Sequence, residues 1–467
     1  MDDRQGEPTE VLVVGAGICG LTVAHGLAQR GVACRVVEAS DRVGGAIVTR
    51  REHGFQWEEG PNSFSPTPEL LALAIAMGLR DELILADRRL PRYVWWQNRL
   101  QAVPMAPPGL LTTGLLSPWG KLRAAVGALG FVPPSFAADE TVGSFFRRHL
   151  GPEVLTRLAA PFVSGVYAGD PEALSIGAAF PRVTAIEAMG GGLVAGFIQA
   201  LRQRGAPDPH LPQTKPGELG SFREGIEALP RAIAADLAQR GVTLTLNQAL
   251  TRLEPTGDRW RAVLASGEEL EARSVVLAVP AWAAAKILQQ TPETADWVAD
   301  LERIPYPAVA CAVLAYPDGD LRQPLRGFGH LVPRGQGIRT LGTIWASSLF
   351  PGRAPAGYTL LLNFIGGTTD PTLAQLDAGA IAQAVHQDLR QILVQPTAAP
   401  PKVLAVNLWR RAIPQFTVGH QGRLARLAAG LPPGLVLAGN YRGGVALGDC
   451  VRHGLAVAAQ VAAFLER

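Results

Sequence analysis

The sequence predicts a mixed α/β fold in which a parallel sheet is built by both ends of the chain. Three observations carry that expectation. Near the start, the β-branched run Val11 to Val14 ends in Gly15-Ala16-Gly17-Ile18-Cys19-Gly20 and opens onto Leu21 to Arg30, where Leu21, Ala24, Leu27 and Ala28 fall at helical spacing. Near the end, Gly434 to Asn440 reads as a strand and turn, and Gly443-Gly444-Val445-Ala446-Leu447-Gly448-Asp449 opens a helix running to Arg467. Between them, Ala308 to Leu314, Leu341 to Trp345 and Tyr358 to Phe364 read as strands of a second, mixed sheet.

In the first unit each glycine has a physical task. Gly15 allows the tight turn, Gly17 lets the backbone approach a pyrophosphate, and Gly20 lets the helix pack closely on the strand. A diphosphate then sits at a helix N-terminus, where free N–H groups and the helix dipole favour negative charge. Gly31 closes the helix and Cys34 to Glu38 forms the second strand. Glu38, at its end, is placed to accept hydrogen bonds from ribose hydroxyls, and a carboxylate there disfavours a 2′-phosphate.

Composition excludes several classes. The 467 residues are 48% hydrophobic, enough for sizeable cores, and 43 Lys+Arg against 40 Asp+Glu leave a net charge of +3, too little for a nucleic-acid footprint. Cys19, Cys34, Cys311 and Cys450 lack disulfide or metal spacing, so free thiols in a reducing compartment and no metal are expected. The polar start MDDRQGEPTE suggests neither a secretory signal nor a transit peptide, hence a cytoplasmic protein, or an organellar one if the sequence is of a processed form. From Gln101 to Gly120 the chain is charge-free, but Pro104, Pro107, Pro108 and Pro118 interrupt any spanning helix.

In chain order, Gly60-Pro61-Asn62-Ser63-Phe64 marks a turn, and Arg92 precedes an aromatic-rich strand, as a solvated cation or as a carboxylate clamp. Residues 105–205 are rich in Leu, Gly, Ala and Pro, with Leu110-Leu111, Leu115-Leu116, Trp119 and Phe131-Val132-Pro133-Pro134 looking exposed. A helical unit is expected there, either an ordinary core or one lying in a membrane interface. Ala160 to Pro171 ends in a Gly169-Asp170-Pro171 turn, and Gly205 to Gly217 is a polar, proline-rich linker. A helix over Leu229 to Arg240, strands at Val242 to Leu246 and Ser274 to Val279, and a turn at Ala249 complete the series. His420 is read as a local hydrogen-bonding residue.

Arg42-Val43-Gly44-Gly45 resembles the R-x-G-G extension of the FAD-binding oxidases that include amine oxidases, phytoene desaturases and protoporphyrinogen oxidases. The strings G-P-N-S-F, G-V-Y-A-G-D-P and A-I-P-Q-F resemble the oxygen-dependent, FAD-containing protoporphyrinogen oxidase family in its plant and cyanobacterial form. The resemblance implies FAD held by Gly15, Ala16, Gly17, Ile18, Gly20, Glu38, Ala39, Arg42, Gly45, Gly60, Pro61, Asn62, Ser63, Ala249, Trp409, Gly439, Asn440, Val445, Ala446 and Leu447. It implies a tetrapyrrole met by Arg92, Asn62, Gly169, Leu331, Ile344 and Phe364, Arg92 pairing with a propionate, and no catalytic residue beyond the flavin. It further implies six-electron oxidation of protoporphyrinogen IX by oxygen and peripheral attachment to the inner face of a membrane, and a homodimer is compatible with it. The expected units are an FAD-binding part (1–90, 205–275 and 411–467), a helical membrane-associating part (91–204) and a substrate part (276–410).

The nearest alternative is coproporphyrinogen III oxidation, the same chemistry on a substrate with two more propionates. Amine oxidases share Arg303-Ile304-Pro305 but place a flavin-linked lysine where Cys311 stands, and a desaturase would lack the middle strings. Flavin-free prenyl-binding proteins of the GDP-dissociation-inhibitor type form the competing non-enzyme class, and the intact glycines at both ends with Glu38 argue against it.

Overall fold

The computed structural model describes residues 9–105, 107–135, 137–203, 208–215, 217–291 and 294–467. The expected linker therefore lies partly outside the described residues, as does the N-terminal octapeptide.

Two sheets organise the chain. The first runs Leu250–Thr256, Arg259–Leu264, Glu269–Leu277, Thr9–Val14, Cys34–Val37, Thr243–Thr245, with Leu435–Leu437 pairing the far end of Glu269–Leu277. Thr9–Val14 is parallel to both neighbours, and Leu435–Leu437 is parallel too, so strands from both ends of the chain share one sheet. Val11 to Val14 are buried on both faces, as a central parallel strand requires. The helix Ile18–Ala28 packs against the C-terminal helix Leu447–Leu465. The two backbones approach closely because small residues meet: a Cβ at Gly26 would lie 2.7 Å from Ala458 Cβ, and one at Gly454 2.8 Å from Thr22 Cβ.

The second sheet runs Lys402–Trp409, Val309–Pro317, Tyr358–Gly366, Thr340–Trp345, Gly329–Leu331, Arg92–Trp96, Arg99–Ala102. Its pairs are antiparallel except Gly329–Leu331 with Arg92–Trp96. Residues 92–102, expected at the start of the helical unit, are thus sheet strands. The alternation of Tyr93, Trp95 and Leu100 packs against the core of this sheet, and that packing decides their state.

Helices Pro118–Ala128, Val142–Leu150, Ala160–Tyr167, Pro181–Ala188 and Gly192–Arg202 lie between the sheet strands and the linker. Among the described residues no single helix is long and apolar enough to cross a membrane; the last two of these pass such a test only as a pair, bent by 99°. Trp119 and Phe131 are each 74% exposed, but Leu115 and Leu116, expected to be exposed as well, are buried. Those two leucines precede the Ser117-capped helix, and the turn carries them inward while the helix presents Trp119, Leu122 and Val126 to solvent.

Candidate functional site

The glycine-rich segments, remote in sequence, form one continuous strip. Gly17 bridges Gly44 in parallel, and Gly44 N–H donates to Ala16 O at 2.8 Å. A Cβ on Gly45 would stand 3.2 Å from Gly17 Cα, and one on Gly60 would be 2.0 Å from Ala46 O. The 44–46 turn is therefore sandwiched between the first glycine loop and the Gly60-Pro61 turn, and only glycine permits these approaches. A Cβ on Gly20 would collide with Gly15 O at 2.0 Å, whereas one on Gly17 meets nothing within 4 Å. Gly20 serves the fold, and Gly17 fronts open space at the N-terminus of Ile18–Ala28. Ile18 is buried behind it.

Glu38 straps this loop. Its Oε2 accepts from Ala16 N–H at 2.7 Å, and its Oε1 accepts from Ser40 N–H at 2.9 Å and Ser40 Oγ–H at 2.7 Å. Each oxygen keeps acceptor capacity for a ribose hydroxyl. Ala39 is exposed beside it, and the carbonyl of Ala249 accepts from Ala265 N–H while Gln248 N–H donates to Glu38 O, which holds that turn against the strand end. Arg42 departs from expectation. Its guanidinium folds back on Val43 O, Gly45 O and Ile47 O, so three of its donors shape the R-x-G-G turn. The three carbonyls of the tight turn all point inward and need a donor.

Beyond Gly60 the strip reaches Pro61, Asn62 and Ser63. Asn62 is buried and its Nδ2 has no partner, an unsatisfied donor that calls for a ligand acceptor. Asn407 Nδ2 and Trp409 Nε1, from the second sheet, reach Glu59 O at 3.5 and 3.3 Å and tie that sheet down over the turn. At the other end, Gly439 and Asn440 turn the chain after Leu435–Leu437. Val445 and exposed Ala446 then lead into the Leu447–Leu465 helix, whose N-terminus has no side-chain cap.

The second sheet presents one face to this strip. Cross-strand partners share a face, so Arg92, Gly329, Ile344 and Leu362 form one row, and Val94, Leu331, Gly342, Phe364, Cys311 and Asn407 the next. Gly329–Leu331, Thr340–Trp345 and the body of Tyr358–Gly366 are buried except at Leu331, Ile344 and Phe364. The three partly open positions thus lie on one face, with Arg92 at its edge. Arg92 Nη2 donates to Gly217 O at 2.8 Å and its guanidinium sits 5.5 Å over the Phe328 ring, and among the described residues it has no carboxylate partner. Burial lowers its pKa from the usual arginine range.

The helix Ala160–Tyr167 supplies a wall. A Cβ on Gly165 would lie 2.5 Å from Leu331 Cδ2, and Phe162 and Val166 are exposed on the same helix. Gly169, expected at the cavity, is instead buried: a Cβ there would meet Gln415 Oε1 at 2.5 Å and Leu174 Cδ1 at 2.9 Å. Ala168, left-handed at φ 49°, turns the chain away from the sheet before Gly169 is reached, and Gly165 takes its place against Leu331. Position 165 announces itself only as one more small residue, and no sequence signal marks it. Cys311 is sealed in the sheet, and burial pushes its thiol up to about 12, which leaves it without redox or nucleophilic character.

A cleft of about 810 Å³ lined by Arg148, His149, Glu187 and the Gly190–Gly192 turn lies in the helical part and shares no residue with the strip or the sheet face.

The sequence profile of the flavin containing amine oxidoreductases matches residues 18–462. The chain belongs to this family. It is 42% identical to the chloroplastic protoporphyrinogen oxidase 1 of Arabidopsis thaliana over 98% of this chain and 89% of the relative. To the coproporphyrinogen III oxidase of Bacillus subtilis it is 28% identical, over 97% of this chain and 98% of the relative. Among solved structures, a putative protoporphyrinogen oxidase from Exiguobacterium superposes with a TM-score of 0.81 at 25% identity, covering 99% of this chain and all of that one.

As a family member the chain is an FAD-dependent oxidoreductase, and its own residues fit that cofactor. Gly17 leaves room for a pyrophosphate, Glu38 has acceptor capacity for the ribose, and the unpartnered Asn62 amide lies where the strip passes beneath the sheet. A strip of this length, continuing past the dinucleotide loop, suits a ligand that carries a ring system beyond its diphosphate.

Proposed function

We propose that this flavoprotein oxidises protoporphyrinogen IX to protoporphyrin IX with oxygen as acceptor. The observation that carries the reading is the sheet face on which Leu331, Ile344 and Phe364 stay partly open in three otherwise buried central strands, with Arg92 at its edge. A flat apolar surface bounded by a half-buried guanidinium fits a macrocycle bearing carboxylates at one side. The protoporphyrinogen oxidases among the relatives, 42% identical in the plant form, support the same substrate class.

Bound FAD supplies the two-electron oxidant, and three turnovers convert protoporphyrinogen IX and three oxygen molecules into protoporphyrin IX and three of hydrogen peroxide. The chain's own part is placement. Leu331, Ile344 and Phe364 cover one face of the macrocycle, Gly165 lets the wall helix come close, and Arg92 exchanges Gly217 O for a propionate. The charge-assisted pair contributes about 1.5–3 kcal/mol to that choice of orientation. Burial of the macrocycle against the sheet excludes water from the oxidised carbon.

The helices Pro118–Ala128 and Gly192–Arg202 carry Trp119, Leu122, Val126, Val194, Phe197 and Ile198 at the surface. That apolar area supports peripheral attachment to the inner face of a membrane, where a poorly soluble substrate concentrates.

Aerobic turnover of purified protein, followed by porphyrin fluorescence from the two porphyrinogens side by side, tests the reading. Faster turnover of protoporphyrinogen IX is expected. Preference for coproporphyrinogen III moves the enzyme to that substrate, and a yellow protein active on neither overturns porphyrinogen oxidation.

A further inference from the structure

Arg353 lies in the loop between the short helix Ala346–Leu349 and the strand Tyr358–Gly366, far in sequence from any glycine motif, yet it is 4% exposed. Its Nη2 donates to Ser221 Oγ at 2.8 Å and Phe222 O at 3.2 Å, and its own carbonyl accepts from Gln56 N–H at 3.0 Å. The same Nη2 stands 3.8 Å from Glu58 Oε1, while Nη1 is buried with no partner. Glu58, 2% exposed, accepts from Thr49 Oγ1–H at 2.6 Å and Ile226 N–H at 3.0 Å.

Such a pair is a poor stability device. Burying a guanidinium beside a carboxyl costs several kcal/mol for each group that is charged, and apolar replacements of similar volume are commonly neutral or stabilising. An unpartnered guanidinium nitrogen deepens the cost. What the pair does achieve is geometric. Glu58 ends the strand Phe55–Glu58 and runs directly into Glu59-Gly60-Pro61-Asn62, the part of the strip beneath the second sheet. Glu59 is held through its carbonyl by Asn407 and Trp409 of that sheet, Gln56 N–H is held by the backbone carbonyl of Arg353, and the Arg353 guanidinium, fixed by Ser221 and Phe222, stands as the counter-charge 3.8 Å from Glu58. The turn is thus clamped between two points of the substrate sheet, with Ser221 and Phe222 of the strand Gly220–Phe222 as the backing.

We propose that Arg353 is a positioning residue of the oxidase, acting through Glu58 to fix the 59–63 turn and with it the spacing between the flavin ring and the apolar face of the second sheet. The inference rests on the flavin lying along the glycine strip. Arg353 touches neither cofactor nor substrate; it sets the distance between the surfaces that do. Displacements of about 1 Å at such a surface cost up to about a hundredfold in rate.

The test uses the FAD-loaded full chain as wild type, Arg353→Met, Arg353→Lys and the double variant Glu58→Gln/Arg353→Met. The readouts are flavin stoichiometry, the visible flavin spectrum, its reduction potential, and kcat and KM separately. Arg353→Met is expected to keep its flavin but to shift the flavin bands and lower kcat about tenfold or more, with partial rescue in Arg353→Lys. The double variant, which leaves no buried charge, is expected to melt at or above the wild-type temperature and still to show the shifted flavin; it decides the matter if Arg353→Met does not fold. A yellow wild type whose variants change only in melting temperature overturns the positioning role. A wild type that holds no FAD overturns the underlying placement of the flavin instead.

Discussion

The glycine strip and the sheet above it build one cleft by opposite means. The strip makes room by removing side chains: Gly15, Gly17, Gly20, Gly45 and Gly60 bring backbone within contact of backbone, and a helix N-terminus and one carboxylate are left to meet a ligand. The sheet makes a surface by placing side chains: Leu331, Ile344 and Phe364 stay partly open in strands otherwise sealed. A backbone surface leaves no side chain to resize and suits a fixed cofactor. A side-chain surface can be resized, and suits the partner that differs between related enzymes.

The sharpest way to break this contrast lies within the strip itself, at Gly20 and Gly17. Gly20→Val brings a Cβ to 2.0 Å from Gly15 O, a backbone atom that cannot step aside. The variant is expected in the insoluble fraction or melting far below wild type. Gly17→Val enters open space and has an ordinary φ of −69°, so the apoprotein should melt within about 0.5 kcal/mol of wild type. Its FAD affinity should fall at least tenfold, about 1.4 kcal/mol, read by flavin fluorescence titration. Equal behaviour of the two variants would remove the distinction between a glycine for packing and a glycine for ligand approach.

On the sheet the expected effects are smaller and fall on substrate. Arg92→Ala should raise KM about tenfold to a hundredfold, the worth of a charge-assisted hydrogen bond, while flavin content stays at wild-type level. Loss of flavin with an unchanged KM would take Arg92 out of the substrate cleft. Ile344→Ala removes methyls from a partly open position, so it should cost less stability than the 2–5 kcal/mol of a fully buried isoleucine and still weaken substrate use. The ratio of the two costs, from thermal melts and steady-state kinetics, measures how far this face is a binding surface and how far it is core.

Legibility followed the same divide. The strip could be read because glycines at fixed offsets, a β-branched run before them and an acid after them leave few physical alternatives, and Gly44-Gly45 stacks on Gly17 as the extended motif requires. The sheet could be read only as strands. Nothing in Leu331, Ile344 or Phe364 as residues separates a cavity wall from a core, and resemblance alone pointed to them. Arg42 and Gly169 show the limit of carrying roles by motif. A guanidinium that finds three carbonyls in its own turn stays there, and a left-handed Ala168 diverts the chain one residue before the expected glycine. Glu58 and Arg353 meet from positions 58 and 353, a contact that no local pattern encodes.

The helical part offers a third kind of surface, apolar and outward-facing. Trp119→Ser and Phe131→Ser, at two side chains each 74% exposed, should leave the melting temperature unchanged because neither residue is part of a core. Cosedimentation with phospholipid vesicles should drop severalfold if these residues enter the interface, since each aromatic buries about 150–250 Å² of surface when fully covered. Undiminished cosedimentation would assign the vesicle contact elsewhere.

A last effect concerns pH and joins the two surfaces at Glu58. Burial pushes its carboxyl up to about 7, against the opposing pull of the Thr49 hydroxyl, the Ile226 N–H and Arg353, and nearby Glu227 adds to the rise. The unfolded chain titrates this group near 4.5. Between those values the folded state holds the proton more tightly than the unfolded state does. Its contribution to stability is therefore present below pH 4.5 and is lost as pH rises toward 7. Denaturant unfolding of wild type and Glu58→Gln across pH 5 to 8 isolates this contribution, because glutamine keeps the shape and does not titrate. The wild type should lose stability relative to the variant as pH rises through that window. Parallel curves would mean that Glu58 stays ionised in its buried site, held by Arg353 more firmly than a 3.8 Å contact suggests.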